Sequence, residues 1–415
     1  MYNDFMPKEL KDTPMNGSNI NFSENENAPV TLDSSKGQGK NSGVPKATFK
    51  KFDTKGKFKL PFPPAVLGIF VAAILALGLF YFFGTSRSVD VITPGGSSPV
   101  EDADLLLQNP LTGVMYKESE AGPINERPLA VMMNNHVDAR PQSGLVDADL
   151  TYEIVAEGGI TRLIPFYLSK TPKKIGPVRS TRDYYLVYVK ELGDAMIMHI
   201  GWSPKALQAI QEWPVRSLGR GNAQFWRDNP RNVAIEHTAY VDGEYLRELG
   251  KKLGWEGRRD FVVWKFKDDA PAASPTATNI SIDFWSKGDY STIFKYDATN
   301  NSYLRFNGYD SSGEPIPTKD QESGEQVSVK TVIVQFATEN AIPGDDSSRL
   351  SYELIGSGSG IVFMDGTATQ VTWSKSDRDE RTMFYDLNGE EIEFNRGKIW
   401  ISIVPDRNVS QVQYN

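Results

Sequence analysis

The hydrophobic positions of this chain follow two periods, and one long stretch follows none. Residues 65–84, AVLGIFVAAILALGLFYFFG, carry no charged side chain over 20 positions. At about 1.5 Å per residue that run matches the ~30 Å of a bilayer core, so it predicts a transmembrane helix within 61–84. A buried globular helix would show a polar face somewhere along such a length. Between 109 and 266, apolar runs alternate with helical spacing: 129–133, 150–156, 162–168 and 195–200 read as strands, and 180–192, 204–213 and 241–253 as helices. That alternation predicts a mixed, layered α/β domain. Beyond 278 the period shortens to two, over 279–285, 291–297, 301–306, 327–336, 350–355, 360–364, 369–374 and 399–404. Asn307-Gly308, Asp365-Gly366 and Asn388-Gly389 supply the positive φ of tight hairpins, so 279–415 is expected to be a mainly antiparallel β domain.

The segments between these patterns complete the organisation. Residues 1–60 are rich in Asn, Ser, Gly and Lys and hold too few branched apolar residues to offset ordering entropy, and they read as a disordered tail. Lys46, Lys50, Lys51, Lys55, Lys57 and Lys59 precede the apolar stretch, while Arg87 stands against Asp90, Glu101, Asp102 and Asp104 after it. The positive-inside rule then puts the tail in the cytoplasm and the folded part outside. A cleaved signal peptide would have a shorter apolar region, nearer the start and followed by small residues, so an uncleaved signal anchor fits better. Residues 85–108 read as a Pro/Gly/Ser linker and 267–278, KDDAPAASPTAT, as a linker between the two folded domains.

Composition narrows the chemistry. The 45 basic and 53 acidic side chains leave a net charge of −8, which argues against a nucleic-acid binder. Cysteine is absent, which excludes disulfides, thiol nucleophiles, thiolate metal sites and a lipidated Cys.

Several motifs in order carry a family resemblance. Ala130 to Asn135 (AVMMNN), Ala139 to Leu145 (ARPQSGL), Ala148 to Glu153, Glu157 to Arg162 (EGGITR), Ile175 to Arg182 (IGPVRSTR), Gly201 to Pro204 and Glu236 to Thr238 resemble the YerB-like lipoproteins, a bacterial family. Gly358 to Gly366 and Gly397 to Pro405 extend the resemblance into a C-terminal domain. It covers nearly all of the chain after residue 108. It implies an extracytoplasmic, membrane-held protein of two domains, 109–266 and 279–415, here anchored by a helix instead of a lipid, and it implies no reaction.

Candidate chemistry gathers in the first of these domains. Ser180 or Thr181 is placed to cap a helix whose free amides attract anions, with Arg179 and Arg182 three residues apart beside them. Arg162, Arg179, Ser180 and Arg182, flanked by Asn135, Glu153 and His237, are therefore the expected anion-binding set. The competing reading is that these arginines pair with Glu153, Glu157 or Asp183 and hold the fold. Alternation along 151–157 puts Glu153 and Glu157 on one strand face about 13 Å apart, too far for a glycosidase acid/base pair. Gly158-Gly159 reads as a hairpin turn, since no phosphate-loop spacing accompanies it. His136, His199 and His237 have no metal-binding spacing and no HExxH, so neither a metal nor a cofactor is expected. His237 is the candidate general base, with Glu153 as its candidate carboxylate partner, and His199 reads as a strand residue partly in the core. No serine lies in a nucleophile elbow. Trp202, Trp213, Trp226 and Trp255, with Tyr184, Tyr185 and Tyr188, would suit sugar rings but read more readily as core. Two classes stay open: a tethered envelope module binding an anionic wall component or a protein partner, and an envelope hydrolase of a glycan or phosphoester.

Overall fold

The computed structural model describes residues 106–220 and 223–415. The expected tail and transmembrane helix, and the linker up to residue 105, lie outside the described residues. Among the described residues no helix is long and apolar enough to cross a membrane. The last residues of the expected linker, Leu106–Gln108, form a short strand paired with Met115–Lys117.

Eighteen strands build the two principal sheets. In chain order they are β1 Leu129–Val131, β2 Met133–Asn134, β3 Leu150–Val155, β4 Thr161–Tyr167, β5 Met196–Met198, β6 Arg216–Ser217, β7 Asn279–Ile282, β8 Thr292–Asp297 and β9 Ser302–Tyr309. They continue with β10 Pro315–Pro317, β11 Ser328–Val329, β12 Thr331–Ala341, β13 Leu350–Glu353, β14 Gly356–Met364, β15 Thr367–Lys375, β16 Met383–Tyr385, β17 Ile399–Pro405 and β18 Val412–Tyr414. Among the described residues three α-helices accompany them: α1 Asp183–Glu191, α2 Pro204–Glu212 and α3 Gly243–Lys252.

Twelve strands make one mixed sheet in the order β16-β15-β14-β12-β17-β3-β4-β1-β5-β6, with β13 added beside β12 and β2 beside β4. Its centre is β17, which pairs in parallel with β12 on one side and with β3 on the other. The two sequence regions on either side of 267–278 thus contribute adjacent strands to one sheet. The stretch 267–278 is itself tied down: the Ala272 amide bonds the Asp365 carbonyl, and the Thr276 and Ala277 amides bond the Gly366 carbonyl. The remaining six strands form an antiparallel sheet, β10-β9-β8-β7-β18, with β11 beside β9.

Side-chain alternation sorts the large sheet's two faces. Leu150, Tyr152, Ile154, Ile333, Ile401 and Ile403 pack with Tyr185, Tyr188, Ala206 and Ile210 of α1 and α2. Val332, Val334, Trp400 and Val404 on the other face pack with Ile280, Ile282 and Phe294 of the small sheet, and Leu246 of α3 closes that layer where β1 and β5 lie. The fold is therefore mainly β, with the three helices in outer positions. The expected mixture of helices and strands is present in the first region, which holds α1, α2 and α3, and the region beyond 278 is mainly β; what differs is that strands of both regions join in one mixed sheet.

Candidate functional site

The arginines of the expected anion-binding set divide into two that share a carboxylate and one that has none. Glu157 follows β3 and receives both Arg162 from β4 (3.0 Å) and Arg182 (2.5 Å). Burial pushes the Glu157 carboxyl up, but the two guanidiniums outweigh it and hold the group below its ordinary range. Arg162 also donates to the Ser180 carbonyl at 2.8 Å, and Arg182 to the Thr181 carbonyl at 2.7 Å.

Neither Ser180 nor Thr181 caps a helix. Helix α1 begins at Asp183, the N-cap position is Arg182, and no side chain caps it. The Thr181 amide is spent on the Gly201 carbonyl, because residues 178–182 run as an extended segment between 200–203 and 239–241. The helix N-terminus expected at this place is a strand-like connection instead.

Arg179 differs from its neighbours. Among the described residues its half-buried guanidinium has no hydrogen bond or ion pair. Burial pushes its pKa down, and Arg182 and Arg227 push the same way against Glu236 and Glu157. Arg227 likewise has no carboxylate partner: it donates to the Ile235 carbonyl and to Thr238 Oγ1 (3.4 Å), and burial lowers its pKa against Glu236.

His237 stands next to this pair. Its ring stacks on His136, with centroids 4.4 Å apart and planes 13° from parallel. One ligating atom from each of His136, Asp138 and His237 falls within 4.8 Å of the others, a grouping that the 101-residue gap hid from the sequence. Burial is the main cause that lowers the His237 pKa, and His136 and Arg179 add to it against Glu236 and Asp138. The ring is therefore neutral at pH 7.

Two expected members lie elsewhere. Glu153 is fully buried and faces the small sheet, where it pairs with Arg305 of β9 at 3.1 Å and accepts from Thr161, Thr292 and Trp400 Nε1. Asn135 joins that network through Thr161 Oγ1 (2.8 Å) and Gln142 (2.9 Å). Both hold the two sheets together, and no bond links Glu153 to His237. His199 is buried, with Nδ1 on the Gly201 carbonyl (2.9 Å) and Nε2 on Ser217 Oγ (2.8 Å). The aromatic candidates also divide, since Tyr184, Tyr185 and Tyr188 are core whereas Trp202 and Trp226 are each 40% exposed.

Comparison with known proteins gives this architecture a family. Residues 111–256 match the N-terminal domain, and 280–401 the C-terminal domain, of the "Protein of unknown function (DUF3048)" family. YerB of Bacillus subtilis strain 168, named as a lipoprotein, is 28% identical over 317 residues, covering 75% of this chain and 91% of the relative. A crystal structure of Bacillus subtilis YerB superposes with a TM-score of 0.63 at 27% identity, covering 74% of this chain and 99% of that one. By motif order, by both domain matches and by fold, the chain belongs to the YerB-like DUF3048 family.

Proposed function

We propose that this protein is a membrane-associated, extracytoplasmic module that binds an anionic ligand of the cell envelope, with Arg179 as the primary contact. The observation that carries the reading is the unpaired state of Arg179 beside two arginines that share the Glu157 carboxylate. A half-buried guanidinium in a chain of net charge −8 had carboxylates available to it and has none in place. Such a group costs stability unless something else uses it. The location draws support from the apolar stretch with its preceding lysines, which reads as a single membrane crossing, and from the lipoprotein name of the relative. The hydrolase alternative has less behind it, because His237 Nδ1 is held by the Asn134 amide and not by a carboxylate.

The test is thermal unfolding of the full-length protein with inorganic phosphate and with glucuronate. Either anion should raise the parent's midpoint and leave Arg179→Ala unmoved, while Arg179→Ala itself unfolds within about 0.5 kcal/mol of the parent. No stabilisation of the parent, together with a large stability loss in Arg179→Ala, would make the arginine structural and end the proposal.

A further inference from the structure

The grouping of His136, Asp138 and His237 has the residue types of a divalent-metal site, yet its hydrogen bonds give the rings a different use. Asn134 fixes the orientation of His237. Its side-chain oxygen accepts the His136 amide at 3.0 Å, so its NH2 faces the Glu236 carbonyl (3.3 Å) and His237 Nδ1 (2.8 Å). Turning the amide over would set its NH2 against an N–H and its oxygen against a carbonyl, and both bonds would be lost. Nδ1 of His237 is therefore an acceptor, and in the neutral ring the proton sits on Nε2.

His136 repeats the pattern by a different route. It precedes the 3-10 turn Val137–Ala139, and its Nδ1 accepts the Asp138 amide at 3.2 Å. The Asp138 carboxylate lies 3.6 Å from that same nitrogen, too far for a hydrogen bond. The His136 proton is thus also on Nε2. A metal needs an unprotonated nitrogen, and here each ring's lone pair is already engaged on Nδ1 while Nε2 carries hydrogen. The stacked rings offer two N–H donors.

The surrounding charge suits such donors. Arg162, Arg179, Arg182 and Arg227 stand against Glu157, Glu236 and the exposed Asp138, a local surplus of one positive charge. N–H donors beside a surplus guanidinium recognise an oxyanion.

We propose that His136 and His237 are an oxyanion subsite, donating through Nε2 beside Arg179, and that the group bound there is a phosphoryl group, whose several oxygens can accept from three donors, and not a divalent metal. The inference rests on the anion-binding reading of Arg179 and adds to it the two histidines and the class of ligand.

The experiment uses the full-length protein in separate titrations with inorganic phosphate, glucuronate and zinc chloride, together with 15N spectra of the imidazoles. The spectra should show Nε2 protonated in both rings near pH 7.5 and both signals moving with phosphate. Phosphate should bind more tightly than glucuronate, and equimolar zinc should not raise the unfolding midpoint. His237→Ala should weaken phosphate by about tenfold or more, the loss of one hydrogen bond to a charged group. His237→Gln keeps an N–H near the Nε2 position and should recover most of that loss, which no metal ligand would allow. Zinc stabilisation abolished by His237→Gln would establish a metal site and overturn the inference. Phosphate affinity unchanged in His237→Ala and His136→Ala would remove the histidines from the site while leaving Arg179 as the anion contact. A preference for glucuronate would overturn the phosphoryl assignment, and failure of every anion to bind the parent would remove the anion-binding reading with it.

Discussion

Single residues here divide by whether burial is answered. Glu153 sits at full burial with Arg305, whose guanidinium also lies 4.3 Å from the centroid of the Trp400 ring. Glu153→Gln should cost about 3–5 kcal/mol in urea unfolding, because it strands a buried cation. Replacing Glu153 and Arg305 together by apolar residues should cost less than the two single changes summed. His199 makes a pH-dependent counterpart. Burial pushes its pKa from 6.5 down to about 4. The unfolded chain takes up that proton as pH falls through 6.5, whereas the folded chain resists until near 4. Stability is therefore complete above 6.5 and is lost towards pH 4, by up to about 3 kcal/mol. Unfolding measured at steps between pH 7.5 and 5 should show this slope in the parent and a shallower one in His199→Asn.

Sequence made part of this residue-scale picture legible. Strand alternation placed Glu153 and Glu157 on one face, and the competing reading already named Glu157 as a mate for the arginines. What it did not give was Arg305, 152 residues away, or the stacking of His136 on His237. Both depend on how distant segments cross, and no local period records that.

Among the elements, turn chemistry was the most readable part. Asp365-Gly366 makes the expected hairpin between β14 and β15, with φ of +56° and +75°. A Cβ on Gly366 would come within 2.8 Å of Pro275 and Tyr296, so Gly366→Ala should lose about 1–3 kcal/mol, visible as a lower unfolding midpoint. Asn307-Gly308 carries the same dipeptide but lies inside β9, where it marks a register shift against β10. A dipeptide reports local φ, and whether the strand reverses there is decided by the partner. Helix α1 starts three residues later than its apolar pattern suggests, because 178–182 is recruited as an extended neighbour of 200–203. The helix terminus from which an anion site was expected is therefore absent at 180–182, and of its three arginines only Arg179 is without a carboxylate.

For the whole molecule, the parallel pairing around β17 matters most and was the least legible feature, since parallel neighbours need no turn between them. One sheet and shared cores on both of its faces predict a single cooperative unfolding transition for the described region. Calorimetry should show calorimetric and van't Hoff enthalpies agreeing, and limited proteolysis should spare 267–278. Two resolved transitions, or early cleavage at that stretch, would instead favour separately folding domains.

Synthesis proceeds towards β17, which is made after every strand it must join. Trp400 on β17 donates to Glu153 on β3 across 247 residues of chain. Until that strand emerges, β3 and β12 each hold an open edge able to pair with a stranger, and no local rearrangement can close the gap between them. The nascent chain therefore remains two incomplete half-sheets until 399–405 emerge. Its demand for a holding chaperone should be set by the final few residues, and a chain stopped at 398 would lose the keystone while retaining nearly all of its mass.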